Sequence, residues 1–534
     1  MVLAAFLLTG ARLSRGEPGA HAYGGIYMAP PEEPLPLVDW ELGNRGDTMQ
    51  DFPERIRGRF IGLIGPSLGD ESRMVLIETT SGQRRAIAFH LLSPEDCERA
   101  MSLASANSGT NSPATALPAE PWPAKWDTYR FTENQEGVRY FTSDHFVYFF
   151  GTGDGKESDL LADENFVQGI KSECEAIWNY YANQLHVPMP FDDAGDGEAL
   201  KLPVYFFGTS LPGIKDTGPY ASNRSIYLYP RQFKGDIPIF AHELVHVIQA
   251  FSGGFKWDRR HGKFREAHAD WLSLQWNPTK GGKAIKNGTR FSDYPLFSWQ
   301  VSYGNWPLLQ YLSETYGPEI CIQPWHQNQR DSDGSTLESP LQVIYRLGAE
   351  EGLWSGDGDW AEFADTLAMA AAKKAYWDFI PQSSYLFRLR QTDTWMVKWQ
   401  TRKQPSRVDD EWQCKTERAP GAFGYHTIEL VADASGKAKA DQISVRVESS
   451  SEAGWRLVLI ARDADWNCRY SPVTRDDASA VLPVEKGDRA WALMVMAVPE
   501  TYQAHTREEE ESGSFARHPF KVVIEGAAPG FAGK

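Results

Sequence analysis

The chain has 534 residues, a net charge of −17 and 19 tryptophans, and it is 42% hydrophobic and 13% aromatic. That length and apolar content allow several domains with a large core and exclude a disordered chain. The acidic balance argues against a nucleic-acid backbone or an anionic membrane surface as partner.

The first run, VLAAFLLTGA, is too short to span a bilayer. Ala20-His21-Ala22 after it fits a small-x-small cleavage site. Residues 1–22 are therefore read as a candidate signal peptide, although RLSRGEPG between the two is charged, and the expected location is secreted or periplasmic. No other segment reads as membrane-spanning. Five cysteines, Cys97, Cys174, Cys321, Cys414 and Cys468, include no CxxC pair, which is neither a zinc ribbon nor a dense disulfide framework. Cys414 and Cys468 could pair within one C-terminal domain.

Residues 38–103 alternate short β-like runs with turns. Thr80-Ser81-Gly82-Gln83 predicts a hairpin turn, and Ser93-Pro94-Glu95-Asp96 predicts a helix start. With its LSPED ending, this part resembles the small SH3-like barrels related to the Sla1 homology domain 1. The resemblance implies an accessory module and no chemistry. Residues 104–124 are Ser/Thr/Ala/Pro-rich and read as a linker. From 125 to 403 strands and helices alternate: YFTSDHFVYFFG, LKLPVYFFG and RSIYLYP read as strands, DENFVQGIKSECEAIWNYYANQL as a helix. From 404 to 534 strand follows strand, the pattern of a β-sandwich. Within it, Arg507 to Glu511 is a charge run read as a solvated loop.

The chemistry centres on AHELVHVIQAF, Ala241 to Phe251. His242 and His246 are four apart, so both imidazoles leave one helix face about a turn apart, as two corners of a zinc tetrahedron require. Glu243, beside the first histidine, can serve a water as general base without ligating. Phe240, Leu244, Val247, Ile248 and Phe251 can pack into a core. A plain amphipathic helix explains these residues equally well unless a third ligand exists. KFREAHADWLSLQW, Lys263 to Trp276, supplies one as a second helix: Glu266 falls 20 positions after His246, and Asp270 shares its face. One carboxylate to ligate and another to orient an imidazole is what such a site needs.

HELVH followed by REAHAD resembles the gluzincin, or thermolysin-like, metallopeptidases, whose pattern is HExxH and then ExxxD on the next helix. The resemblance implies that His242, His246 and Glu266 bind Zn2+, that Glu243 is the catalytic base, and that Asp270 hydrogen-bonds a ligand histidine. The span from about Tyr140 to Gly526 resembles a family of secreted HExxH proteins, through Glu266 to Trp271 and Tyr303 to Leu312, which implies fold more than activity. Gln249 and Ser252 stand where the metzincin pattern needs Gly and His, so that class is out. His268, two residues from Glu266, points roughly to the other side of the helix and is expected in a supporting role. His261 is expected at the surface or on substrate. Tyr303, and after it His326, are the candidates for a donor to the developing oxyanion. Ser225–Pro230 is expected to be the edge strand along which a peptide lies.

The expected fold class is α+β multidomain: an SH3-like barrel, a zincin-like α/β metallopeptidase domain over 125–403, and a C-terminal β-sandwich. The expected function is a secreted zinc metallopeptidase acting on protein or peptide, with cell-surface or glycan contact through the accessory β domains. The alternatives are a non-catalytic peptide- or glycan-binding protein on the same scaffold, and a metal-free helical protein.

Overall fold

The structure is a computed structural model. It describes residues 35, 37–42, 53–64, 74–105, 130–131, 135–153, 155–190, 201–222, 224–234, 237–252, 254–255, 263–277, 291–301, 303–330, 336–355, 360–391, 406–408, 411–431, 441–476, 478–500, 502 and 507–530. The candidate signal peptide, residues 106–124 of the expected linker, and His261 lie outside this set. The architecture is mixed α/β with four open sheets.

The first sheet is an antiparallel meander of β1 (Leu37–Glu41), β2 (Arg55–Ile64), β3 (Met74–Thr79) and β4 (Arg84–Ala88), followed by α1 (Pro94–Ser105). Gly82, at φ +77°, turns the β3–β4 hairpin. The Ser93 hydroxyl accepts from the Asp96 amide and caps α1. The sheet is not closed into the expected barrel among the described residues. The outer edge of β4 pairs elsewhere: the Ala86 N–H donates to Ile380 C=O at 2.8 Å, and the Ser383 hydroxyl donates to Ala86 C=O at 2.9 Å. At Ala86, the middle of β4, the backbone groups that closure would need are thus already used.

The central sheet runs β5 (Val138–Thr142), β6 (Phe146–Gly151), β7 (Leu202–Phe206), β9 (Ser225–Leu228), β8 (Tyr220–Ser222). Its three inner strands are parallel and both outer pairings antiparallel. After β6 come α2 (Lys156–Leu161) and α3 (Glu164–Asn179), whose cap Asp163 accepts from the Asn165 amide. Alternation divides the sheet residues between two cores. Phe146, Tyr148, Val204, Phe206, Ile226 and Leu228 face the main core, while Val147, Phe149, Tyr205 and Tyr227 join Phe131 on the other side. Burial on both faces explains why these strands read as continuous apolar runs.

The helices that follow are α4 (Ile237–Phe251), α5 (Phe264–Trp276), α6 (Trp306–Tyr316), α7 (Glu319–Ile322), α8 (Pro340–Glu350), α9 (Ala361–Lys374) and α10 (Gln382–Gln391). None of the described helices is long and apolar enough to cross a membrane.

The C-terminal strands are β10 (Ser406–Val408), β11 (Glu411–Gln413), β12 (Tyr425–Val431), β13 (Gln442–Glu448), β14 (Gly454–Asp463), β15 (Cys468–Tyr470), β16 (Thr474–Arg475), β17 (Ala480–Pro483), β18 (Asp488–Val498), β19 (Lys521–Glu525) and β20 (Ala528–Pro529), with α11 (Arg507–Ser512) before β19. They form sheets ordered β10-β11-β19-β13-β17 and β15-β14-β18-β12-β20. Ile443, Val445, Leu457, Leu459, Leu493 and Val495 share one core between the two sheets. The alternate residues Val458, Ile460, Met494 and Met496 belong to the main core instead. That same core also holds Trp40, Phe60 and Ile87 of the first sheet, so it runs through all three parts of the chain.

A buried polar knot ties these parts. Asp378, 2% exposed, accepts from Arg85 of β4 at 2.6 Å, Lys373 of α9 at 3.2 Å and the Tyr470 hydroxyl of β15 at 2.7 Å. Two expectations are corrected here. Cys414 and Cys468 are not paired: Cys414 lies by the His426 ring and Cys468 on β15, and none of the five cysteines is in a disulfide. The acidic run is not a loop but α11, and it buries Glu510 at 5% exposure.

Candidate metal centre

α4 packs its apolar face into the core, with Phe240, Leu244, Val247 and Ile248 all nearly or wholly buried. This fixes the helix rotation and turns His242 and His246 toward α5. His242 Nε2 faces Glu266 Oε2 at 3.5 Å, and His246 Nε2 faces the same oxygen at 3.4 Å. The three ligand atoms lie within 4.8 Å of one another. Zinc bonds of about 2.0–2.1 Å place tetrahedral ligand atoms about 3.3–3.4 Å apart, so this N, N, O set fits the ion in spacing and type.

Each imidazole is held from behind. His242 Nδ1 lies 3.0 Å from Asp270 Oδ1. His246 Nδ1 has two neighbours, Gln249 Oε1 at 2.8 Å and Arg265 Nε at 3.2 Å. These demand opposite tautomers; in the one whose Nδ1–H donates to Gln249, the Nε2 lone pair is left for a metal. Gln249 in turn donates through Nε2 to the Arg265 carbonyl at 3.0 Å and to His268 Nδ1 at 3.1 Å.

The charges follow from burial and proximity. Burial opposes charge on His242, yet the carboxylates of Asp270 and Glu266 hold its pKa up at about 10. Burial also opposes charge on Glu266, but the adjoining imidazoles of His242 and His246 hold it well below the usual carboxylate range. Glu243 is 8% exposed, and burial pushes its pKa up against the pull of His242 and His246. The Ala221 N–H of β8 donates to the Glu243 carboxylate.

Tyr303 reaches the same place from the loop before α6. Its ring centre is 5.9 Å from that of His242, and its hydroxyl is close enough to Glu266 for that carboxylate to act on it. Burial, then the carboxylates of Glu266, Asp270 and Glu243, hold its pKa above the ordinary tyrosine value. His268 is 2% exposed among Phe264, Trp271 and Trp325, with its pKa lowered by burial, His326 and His246 to about 3, and it is linked to the cluster through Gln249. His326 interacts electrostatically with His268 rather than with the ligand atoms.

One expectation needs correction. Ser225–Pro230 does not supply the edge strand, because β9 is paired on both sides, with β7 and β8. The edge is β8, which also carries the amide facing Glu243. Gln249, Arg265 and Ala221 escaped the sequence reading. Gln249 had a local signal, since it stands one turn beyond His246 on the same face; the Ala221 amide had none.

A family model described as a family of unknown function (DUF6055) matches residues 111–530. Among solved structures, the catalytic module of the metalloprotease ZmpA from Clostridium perfringens is similar at 11% identity, over 64% of this chain and 68% of that one, with a TM-score of 0.24. A likeness that low carries no argument about function. No curated protein matches the chain.

Proposed function

We propose that this chain, which belongs to the DUF6055 family, is a zinc-dependent hydrolase that cleaves peptide bonds. The supporting observation is the convergence of His242 Nε2, His246 Nε2 and Glu266 Oε2, with the buried Glu243 carboxylate beside them. Three protein ligands of this kind hold zinc with a position left open, as in gluzincin-type sites. When bound, zinc supplies polarisation of a substrate carbonyl and acidification of water.

The residues divide the remaining work. Asp270 and Gln249 fix the two imidazoles in the tautomer that presents Nε2. Glu243 takes the proton of the attacking water and returns it to the leaving amine; burial, which raises its pKa above the ordinary carboxylate value, favours holding that proton between the two transfers. Tyr303 donates to charge developing on the substrate oxygen. β8 offers an edge to which an extended peptide adds as a strand. The facing C-terminal sheets are read as a sandwich, the first sheet as a relative of the small barrels, and the protein as exported.

The test is the zinc content of the purified full-length protein beside its Glu266→Ala variant, with turnover of an unstructured protein substrate. The expected result is about one zinc per chain and measurable turnover, both lost in the variant. A wild-type protein that takes up no zinc on reconstitution would overturn the reading. Zinc without turnover would leave a binding protein on this scaffold.

A further inference from the structure

Tyr303 follows a turn that the C-terminal strands hold from end to end. The Ser292 hydroxyl donates to Tyr425 C=O at 3.0 Å, and the Tyr425 N–H donates back to Ser292 C=O at 2.7 Å. Asp293, fully buried, accepts from Arg418 at 2.8 Å, and Arg517 stands 3.6 Å away. The Leu296 N–H donates to Ala422 C=O at 3.1 Å. Then Glu510 Oε2 accepts from both the Ser298 hydroxyl and the Trp299 N–H, each at 2.7 Å.

The other side of the turn is tied to the ligand helix. The Lys263 N–H, at the start of α5, donates to Phe297 C=O at 2.8 Å. Phe297 has φ +60° while packed edge-on against Phe264, with ring centres 5.0 Å apart. A bulky residue in that backbone region is strained and persists only where its surroundings over-determine it. Here the surroundings are α5 on one side and Glu510 on the other.

Glu510 is the odd member of its run. Its neighbours Glu508, Glu509 and Glu511 are exposed, whereas it is buried at 5% exposure. Burial pushes its pKa up to about 7, against the pull of the Ser298 and Trp299 donors. A carboxylate placed at that desolvation cost has been put there to accept from the turn.

We propose that Glu510 is a positioning residue of the metal centre: it fixes the turn at Phe297–Val301, whose Val301 C=O accepts from the Gly304 N–H at 3.0 Å, and through it the Tyr303 hydroxyl beside Glu266. The inference rests on the zinc reading above. It makes the C-terminal strands part of the site rather than an accessory to it.

The test is a double-mutant cycle in the full-length protein on Glu510→Ala and Tyr303→Phe, read as zinc affinity by chelator competition. Amide exchange over residues 291–304 is measured alongside. Each single change should weaken zinc binding about 10-fold, as loss of a group supporting a ligand does. The double variant should be no weaker than Tyr303→Phe alone. Exchange at 297–304 should speed up in Glu510→Ala while α4 stays protected. Glu510→Gln keeps an acceptor oxygen and should recover part of both losses; it also replaces Glu510→Ala if that variant does not fold. Independent, multiplying losses would overturn the proposal, as would unchanged exchange. If the wild-type protein takes up no zinc, the hydrolase reading fails on its own, and exchange alone decides whether Glu510 holds the turn.

Discussion

Arg85→Met removes the guanidinium that faces Asp378 at 2.6 Å. Arg85 is 8% and Asp378 2% exposed, so water cannot replace the lost partner. Burial pushes the Asp378 carboxyl up, but Arg85 first, then Lys373 and the Tyr470 hydroxyl, hold its pKa at about 2, against an ordinary 3.8. That depression corresponds to about 2 kcal/mol of stability. Because the folded pKa is the lower one, this stability is present above pH about 4 and is lost as pH falls toward 2. Removing one member of a buried pair generally costs about 3–5 kcal/mol. With Lys373 and Tyr470 still in place, the expected cost at pH 7 is about 2–3 kcal/mol. The assay is urea unfolding followed by tryptophan fluorescence at pH 7 and at pH 3. The variant should unfold earlier at pH 7, and its difference from wild type should shrink at pH 3. An unmoved midpoint would refute the reasoning. So would an early separate transition of the first sheet, since a core shared by all three parts demands one cooperative unit.

Other outcomes follow from the same geometry. Glu243→Gln keeps an acceptor for the Ala221 amide, so zinc content should be unchanged while turnover falls about 10²–10⁴-fold; residual turnover near wild type would remove Glu243 as the base. Asp270→Ala should weaken zinc binding about 10–100-fold in chelator competition, and equal affinity would mean that His242 needs no such anchor. A thiol reductant should leave the melting temperature unchanged, because none of the five cysteines forms a disulfide; a drop would reveal one.

The site was legible where spacing along one helix decides geometry. His242 and His246 on one face, and Glu266 and Asp270 on another, follow from the four-residue period, and the structure brings the four together. Tyr303 could be singled out by type, but its place at Glu266 depends on a turn held from the C-terminal strands, which no local pattern records. The strand alternation in 404–534 was readable because period two survives in each run. Its partners were not: which face of β14 meets the main core depends on α9 and the first sheet. Composition suggested a linker and hence separate modules, yet Ala86 pairs with Ile380 and Arg85 with Asp378. The acidic run shows the same limit, since charge predicts solvent and says nothing of the one carboxylate that finds buried donors.

The covered edge of β4 also sets an order of events in time. Arg85 and Asp378 stand 293 positions apart. At synthesis rates of about 5–20 residues per second, the first sheet waits about 15–60 s for the segment that completes its edge. During that interval β4 presents open backbone groups, the template on which strands of other chains pair wrongly. Until Ile380 has emerged the first sheet keeps an open edge, and it is finished only after the central helices that precede that residue have been made.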